Sequence, residues 1–488
     1  MTEDLYFCSA VRLAQMIQAK EVSAVELAEV FLRRIDDQNA RVNAFVTVTH
    51  ELALESARRC DDATTRGHSF GPLHGVPVAI KDLFDLRRGV RSTWGSLPLK
   101  DFVAPESALY VQRIEDAGGV IVGKTNAPEF GHRGITDNYV TGATSTPFAL
   151  GRNSGGSSGG AAAAVAAGLV PLAQGTDGGG SIRIPAAWCG VVGVKPSFGR
   201  VGDVPRPNAL LSTSPFGLVG PLARSIDDAS LMLKAIGRPH PRDPFSVPTE
   251  GSVWEAEPID LKKVKIAYLP TLGGFPVAAD VAAVVDRAVS AISTAGAQVE
   301  LPSFVLPDDQ YELGRMWCRL MGMLYVDSLE QVRTWGIDLM EHMGELTPAF
   351  ADMLRGTTSY SALDERRDQH MRTRVLDAIL DVFEGYDFIV TPTLAVSPVV
   401  NLPNGATLGP SHVNGVQVDP SIGWCLTYPF NFTGHPAISA PAGFTTEGLP
   451  VGLQVVAPRW QDKRLLSLVK ELESVIPWSD SYRSVLTA

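Results

Sequence analysis

A serine that follows three consecutive glycines is the first place in this chain where chemistry could be done. It lies in Gly175-Thr176-Asp177-Gly178-Gly179-Gly180-Ser181-Ile182-Arg183-Ile184-Pro185. Consecutive glycines let backbone N–H groups turn inward together and hold an anion. A serine beside such a nest can attack a carbonyl whose oxygen the nest then stabilises. The plain alternative is a tight turn with a hydrogen-bonded serine. A hydroxyl is a weak nucleophile and needs a base. No histidine stands nearby, but Lys81 ends the apolar run Val76-Pro77-Val78-Ala79-Ile80, where burial would lower its pKa and free a neutral amine. The competing reading is a surface lysine paired with Asp82 or Asp85. A charged residue at the carboxyl edge of a sheet is where α/β proteins place their chemistry.

Two familiar patterns also match. Gly118 to Thr125 fits the phosphate-cradling G-x-x-x-x-G-K-T loop, which needs a strand before it and a helix after it. Here the strand-like residues lie inside the pattern and Asn126-Ala127-Pro128 follows, so a helix-turn-strand role is expected instead. Gly155-Gly156-Ser157-Ser158-Gly159 fits the G-x-S-x-G nucleophile elbow. An elbow needs a buried strand leading in, whereas residues 144–153 read as loop.

The elements that must position these residues are those of an α/β protein. Ser23-Ala24-Val25-Glu26 is a capping box, and the apolar spacing after it predicts a helix to about Asn39. Short apolar runs at Val76 to Ile80, Val120 to Val122, Val191 to Val194, Phe388 to Val390 and Val451 to Val456 predict buried strands. Helical segments at Glu51 to Cys60 and Ser107 to Ala117 alternate with them. The fold class expected is α/β, one large domain over residues 1–488 with a central mixed, mostly buried sheet flanked by helices. Residues 277–375 show helical periodicity and hold Trp317, Tyr325 and Trp335; a helical lobe covering a pocket is expected there. Residues 397–415 read as loop.

Composition removes other classes. With 42 Lys+Arg against 53 Asp+Glu, the net charge of −11 argues against a nucleic-acid partner held by bulk charge. The 45% of hydrophobic residues supply a core and exclude disorder. Five scattered cysteines show no metal-ligand spacing and suit a reducing compartment. The acidic N-terminus lacks the basic start of a secretory signal, and the Ala-rich stretch from Ala161 to Ala173 is shorter than the roughly 20 residues of a membrane span. A soluble, cytoplasmic protein without a membrane partner is expected.

Lys81 after its strand, the cluster Gly155 to Gly160 and the segment Gly175 to Pro185 together resemble the amidase signature family, in order and in spacing. The resemblance extends to Gly123-Lys124-Thr125-Asn126 with Glu129, to Cys189-Gly190-Val191-Val192-Gly193 with Lys195-Pro196, to Gly220 through Arg224, and to Pro429-Phe430-Asn431 through Gly452-Leu453-Gln454. It implies a Ser, cis-Ser, Lys triad: Ser181 as acyl-accepting nucleophile, Ser157 as bridging serine after a cis peptide bond, and Lys81 as base. It further implies an oxyanion hole from the N–H groups of Gly178, Gly179, Gly180 and Ser181, with Asp177 and Arg183 bracing the turn. No metal or organic cofactor is implied.

Two positions depart from the pattern. Gly178 stands where many members carry Ile, Thr or Ala, so the turn is expected to be more mobile or to admit a bulkier acyl group. Ile184 stands where the glutamine-hydrolysing component of glutamyl-tRNA amidotransferase has Gln, which suits a free-standing amidase better. By resemblance Leu83, Phe84, Phe130, Ile135, Tyr139, Ile184, Trp317 and Trp424 border the pocket. Their apolar and aromatic character points to a small, neutral hydrophobic or aryl amide, or a hydrazide, as the substrate partner. A homodimer is left open as the assembly. The alternatives carried are a glutamine-hydrolysing component of a transamidation complex, an esterase of the G-x-S-x-G type, and a non-catalytic relative.

Overall fold

The computed structural model describes residues 5–210 and 216–485. The early strands are β1 (Phe45–Val48), β2 (Pro77–Lys81), β3 (Val120–Thr125), β4 (Leu172–Asp177), β5 (Val192–Lys195) and β6 (Leu218–Ala223). After them come β7 (Lys265–Tyr268), β8 (Gln298–Glu300), β9 (Phe388–Pro392), the small hairpin β10 (His412–Val413) and β11 (Val416–Gln417), and finally β12 (Ala437–Phe444) and β13 (Pro450–Val456). Eleven of these form one sheet in the order β1-β3-β2-β4-β6-β5-β12-β13-β9-β7-β8. The sheet is mixed: β2 runs parallel to β3 and β4, β7 parallel to β8 and β9, and antiparallel pairs join the centre.

Successive side chains of a strand point to opposite faces, and here both faces are covered. In β9, Phe388 and Val390 enter one apolar cluster while Ile389 enters the other. This is why the apolar runs are continuous in the sequence rather than alternating. The expected strands appear at their runs, with ends shifted by up to three residues. The capping box at Ser23 and Glu26 forms as read, and starts the helix Ala24–Val42. Gly118 and Gly119 make a helix-to-strand turn into β3. Its Lys124 pairs with Asp82 at 3.1 Å, so the phosphate-loop pattern is a structural turn.

Several elements differ from the sequence reading or go beyond it. β4 and β6 emerge from segments rich in Gly, Gln, Thr and Pro, and they pair with each other along six positions. The 397–415 segment is mostly loop but contributes the first strand of the β10–β11 hairpin. The helical lobe starts and ends later than the expected 277–375. The helix Ala279–Thr294 sends Val281, Val284, Val285 and Ile292 into the same core as the sheet, and β8 joins the sheet edge. The lobe proper consists of Gln310–Thr334, Pro348–Thr357 and Ala362–Phe383. Among the described residues no helix is long and apolar enough to cross a membrane.

The helix Gly159–Ala166, in contact with β2, β3, β4 and β6, is buried on every side. Only small residues allow so close an approach to the sheet. At Gly160 a Cβ would overlap the backbone of Asn126 and Ala44, and neither can move without disturbing β3. Gly160→Ala is therefore expected to destabilise the protein by about 1–3 kcal/mol, seen as a clear drop in thermal midpoint by scanning fluorimetry.

Candidate active site

Strands β2, β3 and β4 are mutually parallel, so their carboxyl ends meet at one edge of the sheet. Lys81 is the last residue of β2 and is fully buried. Its Nζ donates to Ser157 Oγ at 2.7 Å and to Thr176 Oγ1 at 2.8 Å. The surface ion pair is not formed: Asp82 goes to Lys124 and Thr93, and Asp85 Oδ1 accepts from Gln174 Nε2 at 2.6 Å. Loss of hydration disfavours the ammonium form, and the nearby Asp85 and Asp177 offset only part of it. The Lys81 pKa falls to about 7.

Ser157 follows a cis peptide bond from Gly156. No strand leads into it, and the helix Gly159–Ala166 begins two residues later. Among the described residues no histidine hydrogen-bonds Ser157 or Ser181, which argues against the nucleophile-elbow reading. The two serine segments are joined directly. Ser158 N–H donates to the Ser181 carbonyl at 3.0 Å, while Ser158 Oγ donates to the Thr176 carbonyl at 3.2 Å and accepts from Thr176 N–H at 3.3 Å.

The glycine turn is braced from below by a buried ion pair. Arg183 Nε and Nη2 reach the two Asp177 oxygens, each at 2.9 Å, and both side chains are fully buried. Arg183 also donates to the Thr427 carbonyl, Gln454 Oε1 and Asn431 Oδ1. Burial works to raise the Asp177 carboxyl, yet Arg183, Lys195 and Asn431 outweigh it and hold the pKa at about 2. Asp177 Oδ1 accepts the Gly180 N–H at 2.8 Å. That commits the Gly180 donor to the turn itself, so it is removed from the four expected to face an oxyanion. Among the described residues the N–H groups of Gly178, Gly179 and Ser181 take no acceptor.

Ser157, Ser181 and Gly178 line one cavity of about 460 Å³. Leu83, Phe84, Phe130 and Trp317 line it as expected. Ile135, Ile184 and Trp424 do not: they are core residues, with Trp424 stacked on Trp188 at 4.8 Å. Tyr139 is partly exposed and packs over Gly405, away from the cavity. In their place the helix Gln310–Thr334 contributes Met321, Leu324 and Tyr325. Trp317 Nε1 donates to the Gly178 carbonyl at 3.0 Å, and Thr427 Oγ1 donates to that of Gly179 at 2.6 Å. The sequence reading gave no role to Thr176, Thr427 or Gln174, although Thr176 sits inside the segment it singled out. Asn431 and Gln454 lie in segments of the resemblance that assign them no role.

The model of the Amidase family matches residues 26–466. An acylamidase of Rhodococcus erythropolis is 36% identical over 487 residues, 98% of each chain. A second relative, one of the chains of the glutamyl-tRNA(Gln) amidotransferase of Moorella thermoacetica, is 35% identical, over 96% of this chain and 97% of its own. The crystal structure of a bacterial aryl acylamidase of the amidase signature enzymes superposes with a TM-score of 0.95 at 36% identity, covering 99% of both chains. With the serine and lysine segments of the resemblance gathered at one sheet edge, and with matches of this extent, the chain belongs to the amidase signature family and is a hydrolase of amide C–N bonds.

Proposed function

We propose that the protein is a free-standing amidase that converts a neutral hydrophobic or aryl amide to carboxylic acid and amine through a Ser181 acyl-enzyme. The observation that carries this reading is the buried Lys81 amine, 2.7 Å from the hydroxyl of Ser157, on a serine that shares a cavity with Ser181.

Neutral Lys81 takes the Ser157 hydroxyl proton as Ser157 Oγ takes that of Ser181. Ser181 Oγ then bonds to the substrate carbonyl carbon. The resulting oxyanion is met by the N–H groups of Gly178, Gly179 and Ser181, fixed in advance by the Asp177–Arg183 brace, so no reorganisation is required as charge develops. When the C–N bond breaks, the proton on Lys81 returns through Ser157 to the leaving nitrogen. Water, deprotonated along the same route, attacks the acyl carbon and releases the acid and the Ser181 hydroxyl.

The apolar walls nearest the serines support this substrate class. Leu83, Phe130, Trp317 and Met321 surround the two serines and the glycine turn, and such surfaces favour apolar and aromatic groups. The acylamidase and aryl acylamidase relatives support the same class. The amidotransferase relative supports the second reading, glutamine hydrolysis within a complex.

Purified protein alone is expected to release 4-nitroaniline from 4′-nitroacetanilide, and Ser181→Ala to lower kcat at least about 10²-fold. No turnover of aliphatic, aryl or peptide amides or hydrazides, with ammonia formed from glutamine only when partner proteins are added, would overturn the proposal in favour of the second reading.

Only the unprotonated amine can accept the Ser157 proton. Activity is thus full above the Lys81 pKa and falls as pH drops through about 7, about tenfold per pH unit on the acid side. In Lys81→Arg the base stays protonated at every working pH. The residual rate of that variant should be at least about 10²-fold lower and show no such limb in a pH profile of kcat/KM.

A further inference from the structure

At Gly178 a Cβ would already touch Met321 Sδ at 3.8 Å, and the carbonyl is held by Trp317 Nε1. The expectation of a mobile turn is therefore not favoured, and glycine there adds no more than a methyl group of room. The cavity of the two serines also reaches Tyr110, on the helix Leu109–Asp116, and Asp203, in the segment that follows β5. Asp203 is fixed through its backbone. Its N–H donates to Asp243 Oδ2 at 3.0 Å, and its Oδ1 accepts the Val204 N–H at 2.8 Å. Asp243 is itself held by the Phe245 N–H and the Ser246 hydroxyl. Among the described residues no cation is paired with the Asp203 carboxylate, and its Oδ2 takes no hydrogen bond. Arg113 acts on it only through space, because its guanidinium donates to the carbonyls of Ile236, Arg238 and Pro239. Arg206 and Arg242 also line the cavity but are exposed.

We propose that Asp203 is a specificity-determining residue that takes an N–H or O–H donor carried by the amide substrate. The inference rests on the amidase reading and deepens it: the substrate is apolar against Leu83, Phe130 and Trp317 and bears a donor where it meets Asp203. Pockets of this size are mostly apolar, and a few fixed polar groups orient what they bind. Water can serve a free carboxylate oxygen while a cavity is empty. A substrate that fills the cavity displaces that water; an apolar group then leaves the carboxylate unpaired, whereas a donor forms a charge-assisted hydrogen bond. Loss of hydration, helped by Asp243 and Asp85 and opposed by the Val204 N–H and Arg113, raises the Asp203 pKa to about 6. Above that pH the acceptor is charged and the preference for a donor is at its strongest.

The test compares kcat/KM for substrates that differ only in a 4-methyl, 4-hydroxy or 4-aminomethyl group, placed either on the aniline ring of acetanilides or on the phenyl ring of phenylacetyl 4-nitroanilides. Ring electronics act equally in every protein, so the donor-to-methyl ratio is compared between proteins. In Asp203→Asn, whose side-chain oxygen can still accept the Val204 N–H, the ratio is expected to fall about tenfold or more in one series. The series in which it falls identifies the side of the amide that meets Asp203, and the hydroxy and aminomethyl arms distinguish a neutral donor from a cation. In the wild type the hydroxy-to-methyl ratio should fall as pH drops through about 6. Protonation of Lys81 slows both substrates alike and cancels. Asp203→Asn should show no such fall, although His240 lines the same cavity in both proteins. Ratios unchanged by the substitution, or rates that fall in parallel for methyl and donor substrates, would overturn the role of Asp203. A wild-type ratio independent of pH would do so even where the variant fails to fold. A wild-type protein that cleaves no amide would instead overturn the amidase reading.

Discussion

The arrangement depends on a lysine amine that is deprived of water and hydrogen-bonded to hydroxyls rather than to a carboxylate. An ordinary lysine titrates near 10.5, and holding Lys81 at about 7 corresponds to on the order of 5 kcal/mol between its two protonation states. Burial supplies that difference against the pull of Asp85 and Asp177, while the nearby carboxylates make their hydrogen bonds and ion pairs to groups other than the amine. Asp82 is bound by Lys124 and Thr93, Asp85 by Gln174, and Asp177 by Arg183 and Asn431. Released to Lys81, any of them would favour the ammonium over the neutral amine. The buried ion pairs around the site are thus part of the amine's chemistry, although buried pairs in general add little to stability.

β4 shows how few residues divide this labour. Successive residues of a strand face opposite sides. Gln174 and Thr176 face β2, where Gln174 accepts the Lys81 backbone N–H and Thr176 accepts from the amine. Asp177 turns the other way and meets Arg183. Gly178 follows with its carbonyl on Trp317. Thr176, Asp177 and Gly178 thereby hold the Lys81 amine, anchor the turn and dock the lobe helix, so an error in the register of β4 would misplace all three at once.

The parts of the site legible in the sequence were those whose residue types are chemically unusual: a lysine ending an apolar run, and serines among clustered glycines. The rest was hidden for physical reasons. β4 and β6 lack a continuous apolar run because Gln174, Thr176 and Asp177 are buried through hydrogen bonds rather than apolarity, and because Gly220 and Pro221 occupy the middle of a central strand. Ile135, Ile184 and Trp424 are the same kinds of residue as Leu83 and Phe130, and type cannot tell a core from a pocket wall. What separates them is a contact made far along the chain, as when Trp424 meets Trp188. Met321, Leu324 and Tyr325 lie on a long helix whose rotation against the sheet its sequence leaves open.

That rotation is set by polar anchors on either side of an apolar wall. On one side Trp317 hydrogen-bonds Gly178 and requires Gly179 to lack a Cβ. On the other, the buried Glu129 carboxylate accepts from Ser96 Oγ and from both the N–H and the hydroxyl of Thr347, the residue that starts the helix Pro348–Thr357. Between them Phe130, in a left-handed conformation at φ +49°, stacks on Phe350 at 4.8 Å and presents itself to the cavity. Apolar packing alone is non-directional and tolerates sliding, whereas these hydrogen bonds admit one placement of the lobe. The cavity wall is consequently built as the chain folds. Its entropy of ordering is met in folding rather than in binding, which leaves more of the contact energy for selecting between substrates.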